Sequence, residues 1–336
     1  IDNNCDGNID ECLFGDCDQM IRIGGEAALD LRIVRSEDGG DLQDPDGRYT
    51  LSHDFYMMST EATQGMFSNL MGYSSSSSSA SYGVGTEFPA HSASWHMAAD
   101  FANALSVQDG FETCYDCTDS GSSVTCVEST ELSTIYDCAG YRLPTEAEWE
   151  LASRSGTPSP FWTGDGSEFG GWYSSNTCDA DVYITDGAGE PLLTDYAWYC
   201  ANNGSNGDPD YGPKQVAQKL PNGFGLFDMH GNVMEWMHDC DRNTYFAGSV
   251  DPTCSTGGTE RILKGGFWSF EPVMMRAQDR FWGWQSDKSN FNGFRLVLNV
   301  PGDPDSDGLN HWLDCDNQDS SSLTVFTDGD CDGVLT

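Results

Sequence analysis

An α+β chain with much irregular structure is predicted by two features of the sequence. Between Met20 and Val300 the apolar runs are short and separated by Gly, Ser, Asn and Asp clusters, and only two stretches there carry helical periodicity. A third feature divides the 336 residues: composition changes abruptly at both ends. The expected organisation is an acidic, Cys-containing segment over 1–19, a central domain over 20–300 and an acidic tail over 301–336.

The first predicted helix begins at Ser92 or Ser94, either of which suits an N-cap. It places Trp95, Ala98, Phe101, Ala102 and Leu105 on one face. The second runs from Thr145 to Arg154. Thr145 and Glu148 have capping-box spacing, Pro144 fixes the entry, and Arg154 ends the helix with a cation where the dipole favours one. Strand patterns are weaker and fall at Arg48–Met58, Arg261–Gly265 and Gly293–Val300.

Fifteen Lys and Arg stand against 54 Asp and Glu, a formal net charge of −39. Such a surface repels a polyanion, so nucleic acid is excluded as a natural partner, and a bare anionic membrane face is disfavoured. No apolar run reaches the roughly 18 residues that a membrane span requires. With 38% hydrophobic and 12% aromatic residues, ten of them Trp, the chain is too apolar for acidic disorder and must bury a core. Thirteen Cys point to an oxidising compartment. The chain begins at Ile1, which a cleaved secretion signal would fit, so a secreted or cell-surface location is expected.

Both ends carry oxygen donors on alternate positions followed by Gly, a pattern suited to a hard cation. In the tail, Asp303, Asp305 and Asp307 occupy loop positions 1, 3 and 5, Gly308 position 6 and Asp314 position 12, close to calcium-loop spacing with Asp in place of the usual Glu. Near the start, Asp2, Asn4, Asp6 and Asp10 repeat the first part, with Leu13 at position 12. A third half-loop spans Asp328 to Gly333. The plain alternative is a pair of solvated acidic tails. The ends resemble the calcium-stapled repeats of thrombospondin type 3 and dockerin modules. That resemblance implies that Cys5, Cys12, Cys17, Cys315 and Cys331 staple them, one being left over. Half-loops at both ends are expected either of a portion of a longer repeat protein or of subunits that complete each other's loops in a filament.

The segments GYRLPTEAEWELASR (140–154), PNGFGLFDMHGNVMEW (221–236), RILKGGFWS (261–269), MRAQDR (275–280) and NGFRLV (292–297) occur in the order and spacing of the formylglycine-generating enzyme, or sulfatase-modifying factor, family. LSHDFYMMSTEATQGMF (51–67) resembles that family's first strand and helix. The resemblance implies a variant of the C-type lectin-like fold.

In the family's known enzyme two Cys hold copper and oxidise a substrate Cys. The matching positions here are Phe270 and Met275, neither of which supplies a thiolate, so formylglycine chemistry is not expected. A second branch holds iron through histidines of an added helical domain. This chain has only six His, none at short helical spacing, and His53, His91, His96, His230 and His238 read as core or surface side chains. The resemblance also implies a structural Ca2+ held by Asp228, Gly231, Val233 and Glu235, against the alternative that Glu235 only bonds backbone. It implies a second ion near Asn176, Thr177, Asp208 and Asp210.

Cys114, Cys117, Cys126 and Cys138 read as two disulfides in preference to zinc, and Cys178 with Cys200 and Cys240 with Cys254 are further pairs by proximity along the chain. The Ser74–Ser79 run needs no catalytic role. Trp268, Phe281, Trp282 and Trp284, with Arg276 and Arg280, gather where the family's catalytic strand lies, and any that stay exposed would form a cleft for a peptide or sugar.

Three functions follow: a secreted binding or structural module that associates with itself or neighbouring subunits, an enzyme of unidentified oxidative or protein-modifying chemistry, and a receptor that uses calcium directly as a ligand contact. Ions that bind only the folded chain stabilise it by mass action. Excess chelator is therefore expected to lower the melting temperature by several degrees in a calorimetric scan, and an unchanged melt would count against the calcium assignments.

Overall fold

The computed structural model describes residues 20–24, 49–75, 83–157, 161–162, 178, 193–208, 210–241, 250–254 and 258–299. The acidic segments over 1–19 and 301–336, with their Asp2, Asn4, Asp6, Asp10, Asp303, Asp305, Asp307 and Asp314 donors, lie outside the described residues, as does Asn176.

The α+β expectation holds. Strands β1 (Met20–Ile23) and β2 (Phe55–Met58), helices α1 (Gln64–Met71) and α2 (Trp95–Gln108), and the hairpin β3 (Tyr115–Thr118) with β4 (Thr125–Glu128) come first. Next are β5 (Tyr141–Arg142), α3 (Glu146–Arg154), α4 (Leu193–Tyr196), β6 (Met234–Cys240), β7 (Glu260–Lys264), β8 (Phe281–Trp284), β9 (Asn292–Gly293) and β10 (Val297–Asn299). One antiparallel sheet has the order β1-β2-β10-β5, a second has β8-β7-β6-β9 with β9 parallel to β6, and β3-β4 stands as its own ladder.

Both predicted helices form, each on its predicted cap. Ser94 accepts the Met97 amide at 3.2 Å, and Trp95, Ala98, Phe101, Ala102 and Leu105 are buried as the periodicity requires. At α3, Glu148 accepts the Thr145 amide at 2.8 Å while Thr145 Oγ1 accepts the Glu148 amide, the reciprocal box that satisfies two orphan donors. The helix α1 that the family resemblance implied ends on Gly72 in the left-handed conformation (φ 73°), which costs little without a Cβ.

Two strand expectations change in extent. The stretch 48–58 is a strand only over Phe55–Met58, because Ser52 and His53 turn toward Asp251: the Ser52 amide donates to Asp251 Oδ1 at 2.7 Å and His53 Nδ1 lies 3.2 Å from the same oxygen. The stretch 293–300 is divided between the sheets. Gly293 pairs with β6, Val297–Asn299 pairs with β2 and β5, and residues 294–296 cross between them.

Three buried tryptophans lock the layers together, each with its indole N–H satisfied. Trp95 donates to Met237 O at 2.9 Å, Trp236 to Ala93 O at 2.9 Å and Trp149 to Glu235 Oε2 at 2.8 Å. Burial of each ring contributes on the order of 2–3 kcal/mol, and the N–H bonds avoid the cost of an orphaned donor. Among the described residues the disulfides are Cys114–Cys138, Cys117–Cys126, Cys178–Cys200 and Cys240–Cys254, and the four cysteines 114, 117, 126 and 138 form bridges rather than a metal knuckle.

Candidate functional site

The chain leaves β7 through Gly265 and Gly266, both with positive φ (91° and 73°). At Gly266 a Cβ would lie 2.7 Å from Met275 Cγ and 2.9 Å from Met274 O, so only glycine lets Met275 pack there. Met275 is fully buried in a cluster with Phe161, Leu193, Ala197 and Tyr199. Phe270 is packed against Phe267 (ring centroids 4.0 Å apart) and Phe281 (5.0 Å), and its carbonyl accepts the Cys200 amide at 3.1 Å. The donor set of a thiolate-held copper is therefore missing: one position is a benzene ring and the other a thioether enclosed by apolar side chains. These residues do not fit that metal.

On the opposite side of the Gly265–Gly266 turn lies a buried acidic knot. Gly231 donates its amide to Gly265 O at 2.8 Å, and a Cβ at Gly231 (φ 84°) would fall 2.1 Å from Trp198 O. Asp228, Gly231 and Val233 lie in the turn that feeds β6, and Glu235 is the second residue of that strand. Asp228 takes a left-handed conformation (φ 56°) and accepts the Ala217 amide on Oδ2 at 2.8 Å, while its buried Oδ1 has no hydrogen-bond partner. Burial pushes the Asp228 carboxyl up to about 6.

Glu235, one of the predicted ligands, is held on both oxygens. Arg295 Nε donates to Oε2 at 2.8 Å and Nη2 to Oε1 at 2.7 Å, and Trp149 Nε1 shares Oε2. The bland reading, in which Glu235 only bonds backbone, is thereby replaced by a bidentate ion pair.

Glu61 is a residue that no local pattern singles out. It is fully buried, accepts Asn232 Nδ2 on Oε1 at 3.0 Å and has an unpartnered Oε2. Burial first, and then the Asp228 charge, push its carboxyl well above the usual range. Among the described residues no three His, Cys, Asp or Glu side chains form a ready-made metal cage. The unpartnered oxygens of Asp228 and Glu61 are donors of the kind a hard cation takes.

The second predicted ion site looks different. Asp208 accepts the Ser205 amide at 2.8 Å, closing its own turn. The Lys214 ammonium meets three oxygens: Asp210 O at 2.5 Å, Gly212 O at 2.6 Å and Asn203 Oδ1 at 2.7 Å. A tethered cation thus already sits on Asp210. Burial pulls the Lys214 ammonium down to about 8, against the opposing pull of Asp210.

The described histidines each have their own polar contacts. His230 Nδ1 is 2.7 Å from Met275 O, His91 Nε2 is 2.9 Å from Gly83 O, His96 Nδ1 accepts the Cys126 amide at 3.1 Å, and His238 Nε2 lies 3.3 Å from Glu128. Of the aromatics that the sequence gathers after β7, Trp268 is buried, whereas Trp282 and Trp284 on the edge strand β8 are 53% and 54% exposed. Their centroids are 6.1 Å apart. Arg276 is tied to Asp279 and Arg280 to Glu146.

This fold and this pattern of loss and retention define a sulfatase-modifying factor scaffold. Residues 10–300 match the Sulfatase-modifying factor enzyme 1-like domain, and the chain belongs to that family. It is 32% identical over 229 residues to the "Chaperone protein LppX" of Paenibacillus barcinonensis, covering 66% of this chain and 72% of that protein. It is 35% identical over 143 residues to the formylglycine-generating enzyme of Mycobacterium tuberculosis, spanning 38% of this chain and only 40% of the enzyme. Among solved structures it resembles Treponema denticola variable protein 1 (TM-score 0.59, 25% identity), covering 83% of this chain and 94% of that one. PvdO from Pseudomonas aeruginosa shares the fold (TM-score 0.56, 20% identity), with 80% and 90% covered.

A further buried pair anchors α3. Arg142 donates from Nη1 and Nη2 to the two oxygens of Glu148 at 2.8 and 2.6 Å. Burial alone would raise the Glu148 carboxyl, but the Arg142 charge and bonds, aided by His53, outweigh it and hold it well below the usual range. A depressed carboxyl stabilises the fold above its unfolded value of 4.5, and that contribution is lost as pH falls toward the folded value. Glu148→Gln is therefore expected to cost about 3–5 kcal/mol near neutral pH, by stranding a buried guanidinium. Urea unfolding in a pH series should show the gap to wild type narrowing below about pH 4.5; a gap independent of pH would contradict the pair.

Proposed function

We propose that this protein is an extracellular binding module of the sulfatase-modifying factor family, stabilised by Ca2+ and without formylglycine chemistry. The observation that carries the reading is the packing at Phe270 and Met275, where apolar burial replaces the two thiolates. The four disulfides support an oxidising, extracellular setting, and among the described residues no helix is long and apolar enough to cross a membrane.

Calcium is proposed at Asp228, with the carbonyls of Gly231 and Val233 and the Arg295-held Glu235 beside it, and at the acidic loops of the two ends. Its role there is structural: a divalent ion offsets repulsion among buried carboxylates and fixes the turn before β6. The loops at the ends would join the module to neighbouring extracellular subunits. In the turn over 203–214, the Lys214 contacts favour an ammonium in place of the ion expected near Asp208 and Asp210.

The binding face is assigned to Trp282 and Trp284. Two half-exposed indoles at i and i+2 on an edge strand present aromatic area at low entropic cost. Similarity to a protein named a chaperone favours a polypeptide ligand, and the net charge of −39 favours one that is neutral or basic.

The test is binding of wild type and the double variant Trp282→Ala, Trp284→Ala to peptide and glycan arrays, each with and without chelator. Basic or neutral peptides should be retained by wild type and lost by the variant, at an unchanged melting temperature. Chelator-sensitive capture of glycans alone would favour the calcium lectin, and aldehyde formation on a Cys-containing peptide in the presence of copper would overturn the non-catalytic reading.

A further inference from the structure

We propose that Glu61 is a direct ligand of the divalent cation at Asp228, a role that rests on the calcium reading above. Three observations carry it. Glu61 and Asp228 are both buried, and each has one carboxylate oxygen without a hydrogen-bond partner, Oε2 and Oδ1 respectively. Orphaned acceptors of this kind are costly in an interior unless an ion, a proton or a water meets them.

The partnered oxygens fix both side chains onto one turn. Glu61 Oε1 is held by Asn232 Nδ2 at 3.0 Å and Asp228 Oδ2 by the Ala217 amide at 2.8 Å; Asn232 lies between Gly231 and Val233, in the turn that contains Asp228. Glu61 thus reaches from the loop between β2 and α1 to the ion-binding turn, 171 residues away in sequence.

Charge completes the argument. Ionised, Glu61, Asp228 and Glu235 carry three negative charges, and the Arg295 guanidinium supplies one positive charge to Glu235. The excess of two matches one divalent ion. The ammonium of Lys219 donates to Thr194 O at 2.6 Å and lies over the Trp198 ring at 4.0 Å; its charge acts on Asp228, but it makes no hydrogen bond to the open Oδ1. Both oxygens of Glu235 are engaged by Arg295 and Trp149, whereas Asp228 Oδ1 and Glu61 Oε2 meet no donor. Two carboxylates with backbone carbonyls form an oxygen set that Ca2+ accepts.

The experiment is equilibrium dialysis of the full chain at a fixed free calcium concentration that saturates wild type, with bound calcium per chain measured by elemental analysis and folding checked by circular dichroism. Glu61→Gln keeps the shape and the Asn232 bond, and Asp228→Asn is its companion. Each is expected to hold one ion fewer than wild type, and the double variant no fewer than either single. Glu61→Asp, the second probe should the Gln variant fail to fold, is expected to need a higher calcium concentration to recover the same count. A wild-type ion count in folded Glu61→Gln, with an ion lost in Asp228→Asn, would overturn the role of Glu61 and leave the calcium reading standing. An unchanged count in both variants would overturn the site as a whole.

Discussion

The Arg295 guanidinium is the contact on which the arrangement of the two sheets depends. All five of its donors are used: two on Glu235, and the others on Met58 O at 3.1 Å, Ser59 O at 3.3 Å and Phe227 O at 2.8 Å. These acceptors belong to the start of β6, the end of β2 and the turn before Asp228. The side chain is planted where residues 294–296 cross from β9 in one sheet to β10 in the other. A buried guanidinium in this position is costly to desolvate, and only complete pairing offsets that cost. It selects one arrangement of strands, because any other leaves a charge alone in the interior.

The same knot separates two regions that share the Gly265–Gly266 turn. On one side the half-buried Phe267, Phe270 and Phe281 and the buried Met275 cluster form an apolar region, with Cys200, bridged to Cys178, packed against it. On the other side Trp149, Glu235, Asp228 and Glu61 form a polar interior with more acid than base. The joint between the two sides is backbone: Gly231 N donates to Gly265 O at 2.8 Å, and Trp268 N to Asn232 O at 2.9 Å.

Much of this was legible in the sequence where one local rule acts alone. The caps at Ser94 and Thr145 and the apolar face of α2 follow from spacing of a few residues, and the substitutions at Phe270 and Met275 follow from motif position. The bridges of Cys178 with Cys200 and Cys240 with Cys254 followed from nearness in the chain. What was not legible depends on long-range partners. Nothing around Glu61 marks it as buried beside Asp228, and nothing in NGFRLV says that its Arg will meet Glu235, 60 residues earlier. Strand 48–58 was overextended because the pull of Asp251 on Ser52 and His53 comes from 199 residues away. Nothing local marks Lys214 for the three oxygens that the turn over 203–212 wraps around it.

The central claim is that a family scaffold has given up its thiolate metal while keeping an acidic interior that a hard divalent ion completes. Elemental analysis of protein isolated without chelator, read against protein concentration, tests it most directly. The account predicts calcium in near-integral ratio to the chain, with copper and iron at background. Copper or iron at about one per chain, or a native protein empty of calcium, would contradict it.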